Sequence, residues 1–292
     1  MPGSLRDLTR SRLYEWALRA DRHLGQHFLV ADWVLQRIVE AADLSEQDWV
    51  LEVGAGLGFL TEELCLGAGR VTSLEVDPQI HGMLTRELAH LSNLDLRLTP
   101  FSPGLMDDWL AEVDEADLTP KLVANLPYQI TGLFLEALLE RLHRLRLAVV
   151  MLQREVVQRM LARPGGKSYS SLTVVLRTFG SAELVCRVPP GAFLPPPRVE
   201  SAVVRLRPGG EVELPPDFDR AGFQLLVRAA FKERRKKLVN SLHHSLPGAS
   251  RELITEALTE AGLDPDLRAE KLSPQEFVTL YRAVAGRLQR GD

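Results

Sequence analysis

A tetrad suited to holding an aromatic amine occupies residues 125–128, where Asn125, Leu126, Pro127 and Tyr128 end an apolar run. The exocyclic amine of adenine is a poor nucleophile because its lone pair is delocalised into the ring. An Asn side-chain oxygen and a neighbouring backbone carbonyl can hold its two N–H groups, which aims the lone pair at a methyl donor and stabilises the developing positive charge. Pro127 would fix the turn, and Tyr128 could stack on a flipped base. The alternative is a turn with an Asn cap and a core tyrosine.

A glycine-rich loop precedes this tetrad, with Gly54, Gly56 and Gly58 at every second position between a predicted strand and a predicted helix. Glycines allow a tight turn and a close approach of a ligand to the backbone. One strand later, Glu75 stands where a carboxylate can accept hydrogen bonds from both hydroxyls of a ribose. The loop and the acid predict a nucleoside-type cofactor. A structural turn would explain single glycines but poorly explains three glycines and an acid.

A basic cluster lies near residue 235, in a chain whose net charge is −4. Five bases surround the single acid Glu233; they are Lys232, Arg234, Arg235, Lys236 and Lys237. Most charge runs are solvated helix faces. Five bases within less than two predicted helical turns, in an acidic protein, instead favour a patch that contacts phosphates.

Elements that would position these residues follow from the hydrophobic pattern. Short apolar runs alternate with helical segments, which predicts a mostly parallel sheet covered on both faces. The predicted strands are 49–53, 71–76, 94–98, 121–124 and 147–152, with 183–188 and 199–206 as a pair that could close the sheet with an antiparallel edge. The predicted helices are 32–42, 60–66, 78–90 and 130–143, then 218–246, 251–261 and 274–288.

Composition and length limit the classes of protein. The 292 residues allow one large domain and one small one, and the longest apolar run, 147–152, is far too short to span a bilayer. The N-terminus has no apolar signal core, and the two cysteines, Cys65 and Cys186, make neither a disulfide framework nor a zinc knuckle. We therefore expect a cytoplasmic protein that does not contact membranes, with a monomer as the default.

Several segments resemble the ribosomal RNA adenine N6,N6-dimethyltransferase family, in the order typical of that family. They are LGQHFL at 24–29, LEVGAGLGFLT at 51–61, NLPY at 125–128, AFLPPPRVESAVVRL at 192–206, AFKERRKKLVNSL at 230–242 and RAEKLSPQEF at 268–277. The resemblance covers residues 22–282. It implies a class I, Rossmann-like methyltransferase domain with a mostly parallel seven-stranded sheet at 1–207, whose residues 1–22 are an N-terminal extension. It further implies a linker at 208–216 and a small all-helical RNA-binding domain at 217–292.

The implied activity is N6,N6-dimethylation of two adjacent adenosines in a hairpin near the 3′ end of 16S rRNA, on a precursor of the 30S subunit. S-adenosyl-L-methionine (SAM) would supply the methyl groups, with no metal ion. Carried over by position, the cofactor would contact His27, Leu29, Gly54, Gly56, Glu75, Pro100 and Asn125. The tetrad Asn125, Leu126, Pro127 and Tyr128 would be catalytic. RNA would bind at Phe193, against the target base, and at Lys232, Arg234, Arg235 and Lys236.

Two positions depart from the family pattern. His27 replaces a usual asparagine, and a neutral imidazole could still bind the cofactor's carboxylate or hydroxyls. Pro100 aligns with an acid that accepts a hydrogen bond from the cofactor's adenine, and proline offers no side-chain acceptor. Losing that bond would cost on the order of 1–3 kcal/mol unless a backbone carbonyl or water replaces it. We therefore predict weaker SAM binding than is usual in the family.

Two rival functions share some of these motifs. Large-subunit (23S) rRNA adenine N6-methyltransferases of the macrolide-resistance type share the loop and the tetrad, but the segments 230–242 and 268–277 favour the small-subunit type. A non-catalytic ribosome-assembly or RNA-binding factor is suggested by Pro100, whereas the intact Glu75, Asn125 and Tyr128 argue against it.

Overall fold

A seven-stranded, mostly parallel sheet forms the centre of the larger unit. The computed structural model describes residues 3–21, 23–126 and 128–290, with the side chains of residues 128, 289 and 290 excepted. The strands are β1 Phe28–Leu29, β2 Asp48–Val53, β3 Arg70–Glu75, β4 Leu94–Leu98, β5 Thr119–Asn125, β6 Leu147–Gln153, β7 Gly180–Val188, β8 Phe193–Leu194 and β9 Ser201–Pro208. The order is β4-β3-β2-β5-β6-β9-β7, and β9 runs antiparallel to β6. The predicted α/β class and antiparallel strand near the edge are confirmed.

Helices cover the sheet and form a separate C-terminal group. They are α1 Leu5–Glu15, α2 Asp32–Ala42, α3 Phe59–Gly67, α4 Pro78–Glu87, α5 Pro103–Glu115, α6 Thr131–Arg141, α7 Arg154–Met160, α8 Ser171–Phe179, α9 Arg220–Lys232, α10 Leu238–Ser245, α11 Arg251–Glu260 and α12 Pro274–Arg290. The sequence pattern predicts α2 with the observed bounds but does not predict α1 or α5. Within the described ranges, no helix combines the length and the apolar character needed to cross a membrane.

The register of the parallel strands brings the predicted site residues to one edge. β2 is buried along its whole length, as expected for a central strand with helices on both faces. Val53 pairs with Leu74 of β3 and with Ala124 of β5, and Glu75 pairs with Leu98 of β4. The glycine loop, Glu75 and Asn125 therefore follow the carboxyl ends of neighbouring strands, where open α/β sheets bind ligands.

By Cα proximity the chain divides into two compact units. The α/β unit contains Met1–Val157 and Glu183–Pro208, and the helical unit contains Gln158–Ala182 and Gly209–Asp292. The α/β unit ends at Pro208, and the sequence-based division places a linker at 208–216. Gln158–Ala182, however, belongs with the helices rather than with the predicted domain 1–207. The reason is that the apolar face of α8 packs against α9 and α12, which both belong to the helical unit.

The basic cluster does not lie on one helix. The single predicted helix 218–246 is two helices, because α9 ends at Lys232 and α10 begins at Leu238. Glu233 has non-helical backbone angles, and the backbone N–H of Leu238 donates to the carbonyl of Leu267 at 2.7 Å. Four of the five bases thus lie in the turn 233–237, and the prediction of a basic helix is wrong in this respect.

Candidate active site

One cavity at the carboxyl edge of the sheet is lined by most of the predicted cofactor residues and by Phe193, one of the predicted substrate residues. It comprises about 1140 Å³ of space including its open mouth, enough for a nucleoside-sized ligand. Its lining includes His27, Leu29, Gly54, Gly56, Glu75, Asn125, Leu126 and Phe193. These residues come from five separate stretches of the sequence, and the fold brings them together.

The glycine loop makes the turn from β2 into α3 with left-handed backbone at three positions. The φ angles of Gly54, Gly56 and Gly58 are +87°, +55° and +85°. Gly58 is also the N-cap of α3, and an added Cβ there would lie 2.6 Å from Cδ2 of Leu84. A side chain at residue 58 would therefore be strained and would collide with α4. The sequence-based reason for glycine in this loop agrees with its geometry.

Glu75 stabilises this loop from β3. Its Oε2 accepts the N–H of Gly56 at 2.9 Å, and its Oε1 accepts the N–H groups of Val76 and Asp77 at 2.8 and 2.9 Å. Burial raises the pKa of the Glu75 carboxyl, and these hydrogen bonds oppose the rise. A carboxylate offers about four acceptor positions. Three are filled by backbone, so Oε2 keeps room for one more donor, such as a ligand hydroxyl.

Glu52 is a second buried acid, which sequence reasoning did not single out. It lies on β2 behind the loop, where its Oε2 accepts the hydroxyls of Thr61 at 2.6 Å and Ser73 at 2.5 Å. Its Oε1 has no hydrogen-bond partner among the described residues. Burial raises its pKa to about 7, against the opposing effect of the two hydroxyls. Glu52 does not line the cavity, so we assign it to holding β2, β3 and α3 together.

The tetrad is described only in part. Asn125 ends β5 and is half-buried, Leu126 is buried at 3% exposure, and both line the cavity. Pro127 and the side chain of Tyr128 lie outside the described residues. The main chain of Tyr128 begins a short 3-10 turn that leads into α6. The amide of Asn125 therefore stands at the cavity, as the sequence predicts, and the stacking role of Tyr128 remains a prediction.

A two-stranded ribbon forms another wall, by pairing Phe28 and Leu29 of β1 with Leu194 and Phe193 of β8. Beside it, Nδ1 of His27 lies 2.7 Å from the carbonyl oxygen of Pro195. A carbonyl only accepts, so Nδ1 carries the proton, and in the neutral ring Nε2 is an acceptor. This tautomer suits a hydroxyl partner better than a carboxylate. Phe193 is 3% exposed and lines the cavity from the core.

Pro100 is not part of the cavity wall. It is exposed, whereas its neighbours Thr99 and Phe101 line the cavity. The Phe101 ring is 8% exposed and lies 5.1 Å from that of Phe134. The nearby acid Asp107 cannot replace the missing acceptor, because it lies on α5 and forms a two-pronged ion pair with Arg141 at 2.6 and 2.7 Å. Sequence reasoning missed Phe101, although an aromatic just beyond a strand end was an available signal.

In the helical unit, the basic residues differ in their contacts. Arg234 donates to the carbonyl of Lys167 at 3.1 Å and lies 3.6 Å from Glu270, and Lys237 pairs with Asp266 at 2.7 Å. Lys232, Arg235 and Lys236 are exposed, and within the described part of the chain their side chains have no hydrogen-bond or ion-pair partner. The unpaired bases are the ones available to an anionic ligand.

Comparison with known proteins identifies the family. Residues 17–285 match the family described as ribosomal RNA adenine dimethylase. The chain belongs to the ribosomal RNA adenine dimethylase family. It is 38% identical over 280 residues to ribosomal RNA small subunit methyltransferase A of Bacillus mycoides (strain KBAB4), covering 94% of this chain and 95% of that one. The same-named protein of Bacillus cereus (strain AH187) is 37% identical over equal shares.

Two solved structures resemble the dimethylase described here. A dimethyladenosine transferase from Plasmodium falciparum gives a TM-score of 0.71 at 23% identity, covering 91% of this chain and 98% of that one. The 23S rRNA methyltransferase ErmE gives 0.59 at 27% identity, covering 88% and 99%. The first likeness shows the Rossmann-like fold. The second shows that a protein named for the large-subunit RNA has the same architecture, so fold alone does not select the RNA.

Proposed function

We propose that this dimethylase transfers methyl groups from SAM to N6 of two adjacent adenosines in the hairpin near the 3′ end of 16S rRNA. Its substrate would be a precursor of the 30S subunit, and it would act in the cytoplasm as a monomer. The observation that carries the proposal is the meeting of the glycine loop, Glu75 and Asn125 at one cavity, in a chain 38% identical to a small-subunit methyltransferase.

The residues present fit a nucleoside cofactor. Glu75 has one acceptor position left on Oε2, which suits a ribose hydroxyl, and the imidazole of His27 suits a second hydroxyl. The loop from Gly54 to Gly58 presents backbone at the cavity without intervening side chains. Bound SAM would supply an electrophilic methyl group. Leu29 and Phe101 would give the adenosine an apolar surface and exclude water from it.

The target amine would be held by acceptors at the end of β5. The side-chain oxygen of Asn125 and the neighbouring backbone carbonyl would accept the two N–H groups of the adenine N6. These carbonyl dipoles would stabilise positive charge on N6 as its lone pair forms the new bond. The buried Leu126 would keep water out of this part of the cavity. Tyr128 and Phe193 would stack on and pack against the flipped base, and protons can leave to solvent, so no general base is assigned.

One experiment separates this function from its rivals. Purified protein and methyl-labelled SAM are incubated with undermethylated 30S particles and, separately, with naked 23S RNA, and the modified bases are mapped. We expect label on two adjacent adenosines of the 16S 3′ hairpin, and Asn125→Ala should lower kcat on the order of 100-fold. Label only in 23S RNA would favour the macrolide-resistance type. The absence of label in both samples would contradict both methyltransferase functions and favour a non-catalytic assembly factor.

A further inference from the structure

The N-terminal helix α1 lies before residue 17, where the match to the family begins, yet it contacts the candidate cofactor site. We infer that α1 completes the cofactor side of the cavity and that Arg12 is a positioning residue for the glycine loop. The inference rests on the proposed function, because it concerns binding of SAM at that cavity. It adds to the site a segment that the motifs do not contain.

Arg12 makes a concentrated set of contacts with the loop and the helices that follow it. Its Nη1 donates to the backbone carbonyl of Leu57 at 2.6 Å. Its Nη2 lies 3.1 Å from Glu62 and 3.6 Å from Glu87, and the guanidinium lies 4.4 Å from the ring centroid of Phe59. The side chain is 15% exposed, so solvent competes little for these bonds.

The loop is consequently held by charged groups on both sides. Glu75 accepts the N–H of Gly56, and Arg12 donates to the carbonyl of the next residue, Leu57. Glycines adopt many backbone conformations in the absence of such contacts. Two charge-assisted hydrogen bonds to consecutive residues select one conformation. That conformation sets how the backbone from 54 to 58 faces the cavity, and a preformed loop does not lose ordering entropy when a ligand binds.

The other end of α1 is anchored beside the opposite wall. Leu5 is 4% exposed and lines the cavity, and its N–H donates to Asp32 at 3.0 Å. Arg6 donates to the carbonyl of Gly191 at 2.6 Å, two residues before Phe193. The helix therefore connects the glycine loop with the segment that carries the ribbon strand β8.

The apolar packing of α1 is limited and falls largely on the cavity wall. Leu5 and Thr9 are buried, and Leu13 packs against a cluster that includes the cavity-lining Phe28, Ala55 and Leu57. Tyr14, by contrast, is 88% exposed, and Arg10 is exposed. An ordinary core helix would bury a broad apolar stripe. In α1 the specific contacts fall on segments that form the cavity, which favours a role in the site over a role in the core.

The test compares four variants of the full-length protein. Arg12→Met removes the hydrogen bond and the charge, Arg12→Lys keeps the charge, Glu62→Gln removes one ion pair but keeps the Arg12–Leu57 bond, and Arg10→Met is a matched change on the exposed face. SAM affinity is measured by calorimetry, and KM and kcat with undermethylated 30S particles. Amide exchange of residues 54–58 reports on the loop directly.

We expect Arg12→Met to weaken SAM binding about tenfold, Arg12→Lys about threefold, and the other two less than twofold. The KM for SAM should rise with Arg12→Met while the KM for the particles and kcat at saturating SAM stay unchanged, and exchange at 54–58 should accelerate. A folded Arg12→Met protein with SAM affinity within twofold of the wild type would overturn the inference alone. If Arg12→Met does not fold, unchanged affinity in Arg12→Lys would overturn it. A wild-type protein that does not bind SAM would overturn this inference and the proposed function together.

Discussion

Pro100 and Phe101 decide how the cavity can hold an adenine ring. Pro100 is exposed and offers no side-chain acceptor. Asp107, on α5, forms an ion pair with Arg141. The base would therefore lose the side-chain hydrogen bond that the family pattern supplies, at a cost on the order of 1–3 kcal/mol. We predict that calorimetric titration gives a SAM dissociation constant weaker than low-micromolar. A low-micromolar or tighter value would contradict this prediction.

Phe101 can replace part of that interaction by stacking. Its ring lines the cavity at the end of β4, and aromatic stacking on a base contributes roughly 1–3 kcal/mol. Phe101→Ala should therefore weaken SAM binding about tenfold or more, whereas Pro100→Ala should change it less than twofold. Phe134→Leu is a useful control, because it perturbs the ring next to Phe101 without removing the cavity-lining side chain. Equal SAM affinity in Phe101→Ala and the wild type would argue against stacking.

At the level of the elements, Glu52 joins β2 to β3 and α3 and makes stability depend on pH. Its pKa is about 7 in the folded protein and near 4.5 when the chain is unfolded. A raised folded pKa means that the unfolded chain releases the proton first, so stability falls as pH rises from about 4.5 to about 7. Glu52→Gln removes this loss. The difference between the unfolding free energy of Glu52→Gln and that of the wild type should therefore shift in favour of the variant by on the order of 3 kcal/mol as the pH rises from 4.5 to 8.

Urea unfolding at several pH values measures this difference. Glu63→Gln is the matched control, because the Glu63 side chain is exposed on α3 and has no hydrogen-bond or ion-pair partner in the described ranges. It should track the wild type at every pH. A constant difference between Glu52→Gln and the wild type across this range would show that Glu52 does not titrate as described.

The turn 233–237 presents its bases unequally to an anionic ligand. Arg234 and Lys237 are engaged within the helical unit, while Arg235 and Lys236 are exposed and unpaired within the described residues. Arg235→Glu and Lys236→Glu should each weaken binding to the 16S 3′ hairpin about tenfold and lower the slope of log K against log salt by about 1. Arg282→Glu, on α12, is the control.

Filter binding over a salt series checks this prediction, with SAM affinity as an internal reference that should stay constant. Arg234→Glu should weaken RNA binding too. Because it also breaks the hydrogen bond to the Lys167 carbonyl, its effect would combine lost RNA contact with a structural change. RNA binding that is unchanged in both Arg235→Glu and Lys236→Glu would show that the turn does not contact the RNA backbone.

At this scale, the sequence predicted the elements that depend on residues close together in the chain and missed those that depend on contacts between distant residues. The parallel strands followed from the alternation of apolar runs and helical segments, which is a local pattern repeated along the chain. The observed register of those strands then brings Glu75 and Asn125 to the same edge. The pattern over 218–246 predicted one helix, but the chain turns after Lys232, and the N–H of Leu238 donates to the carbonyl of Leu267, which is distant in sequence. Arg12 could not be found, because its bond to Leu57 spans 45 residues and belongs to no motif.

For the whole molecule, the two units do not coincide with two continuous segments. The stretch Gln158–Ala182 lies between strands of the α/β unit in sequence but belongs to the helical unit. Its helix α8 buries Val174, Val175, Leu176 and Phe179. The Phe179 ring lies 5.5 Å from Phe223, across the sequence boundary near residue 208. Four such side chains stabilise the fold by about 6–12 kcal/mol, comparable with the stability of a whole domain.

A chain ended at residue 207, as the sequence-based boundary suggests, would keep α8 but lose its partners α9 and α12. We predict that this fragment exposes the apolar face of α8, binds the dye ANS and aggregates in sedimentation. A matched fragment that joins residue 157 to residue 183 through a Gly/Ser linker and also ends at 207 removes α8 together with its partners, and should bind much less dye. A monomeric, dye-free 1–207 fragment would show that α8 does not depend on the C-terminal helices.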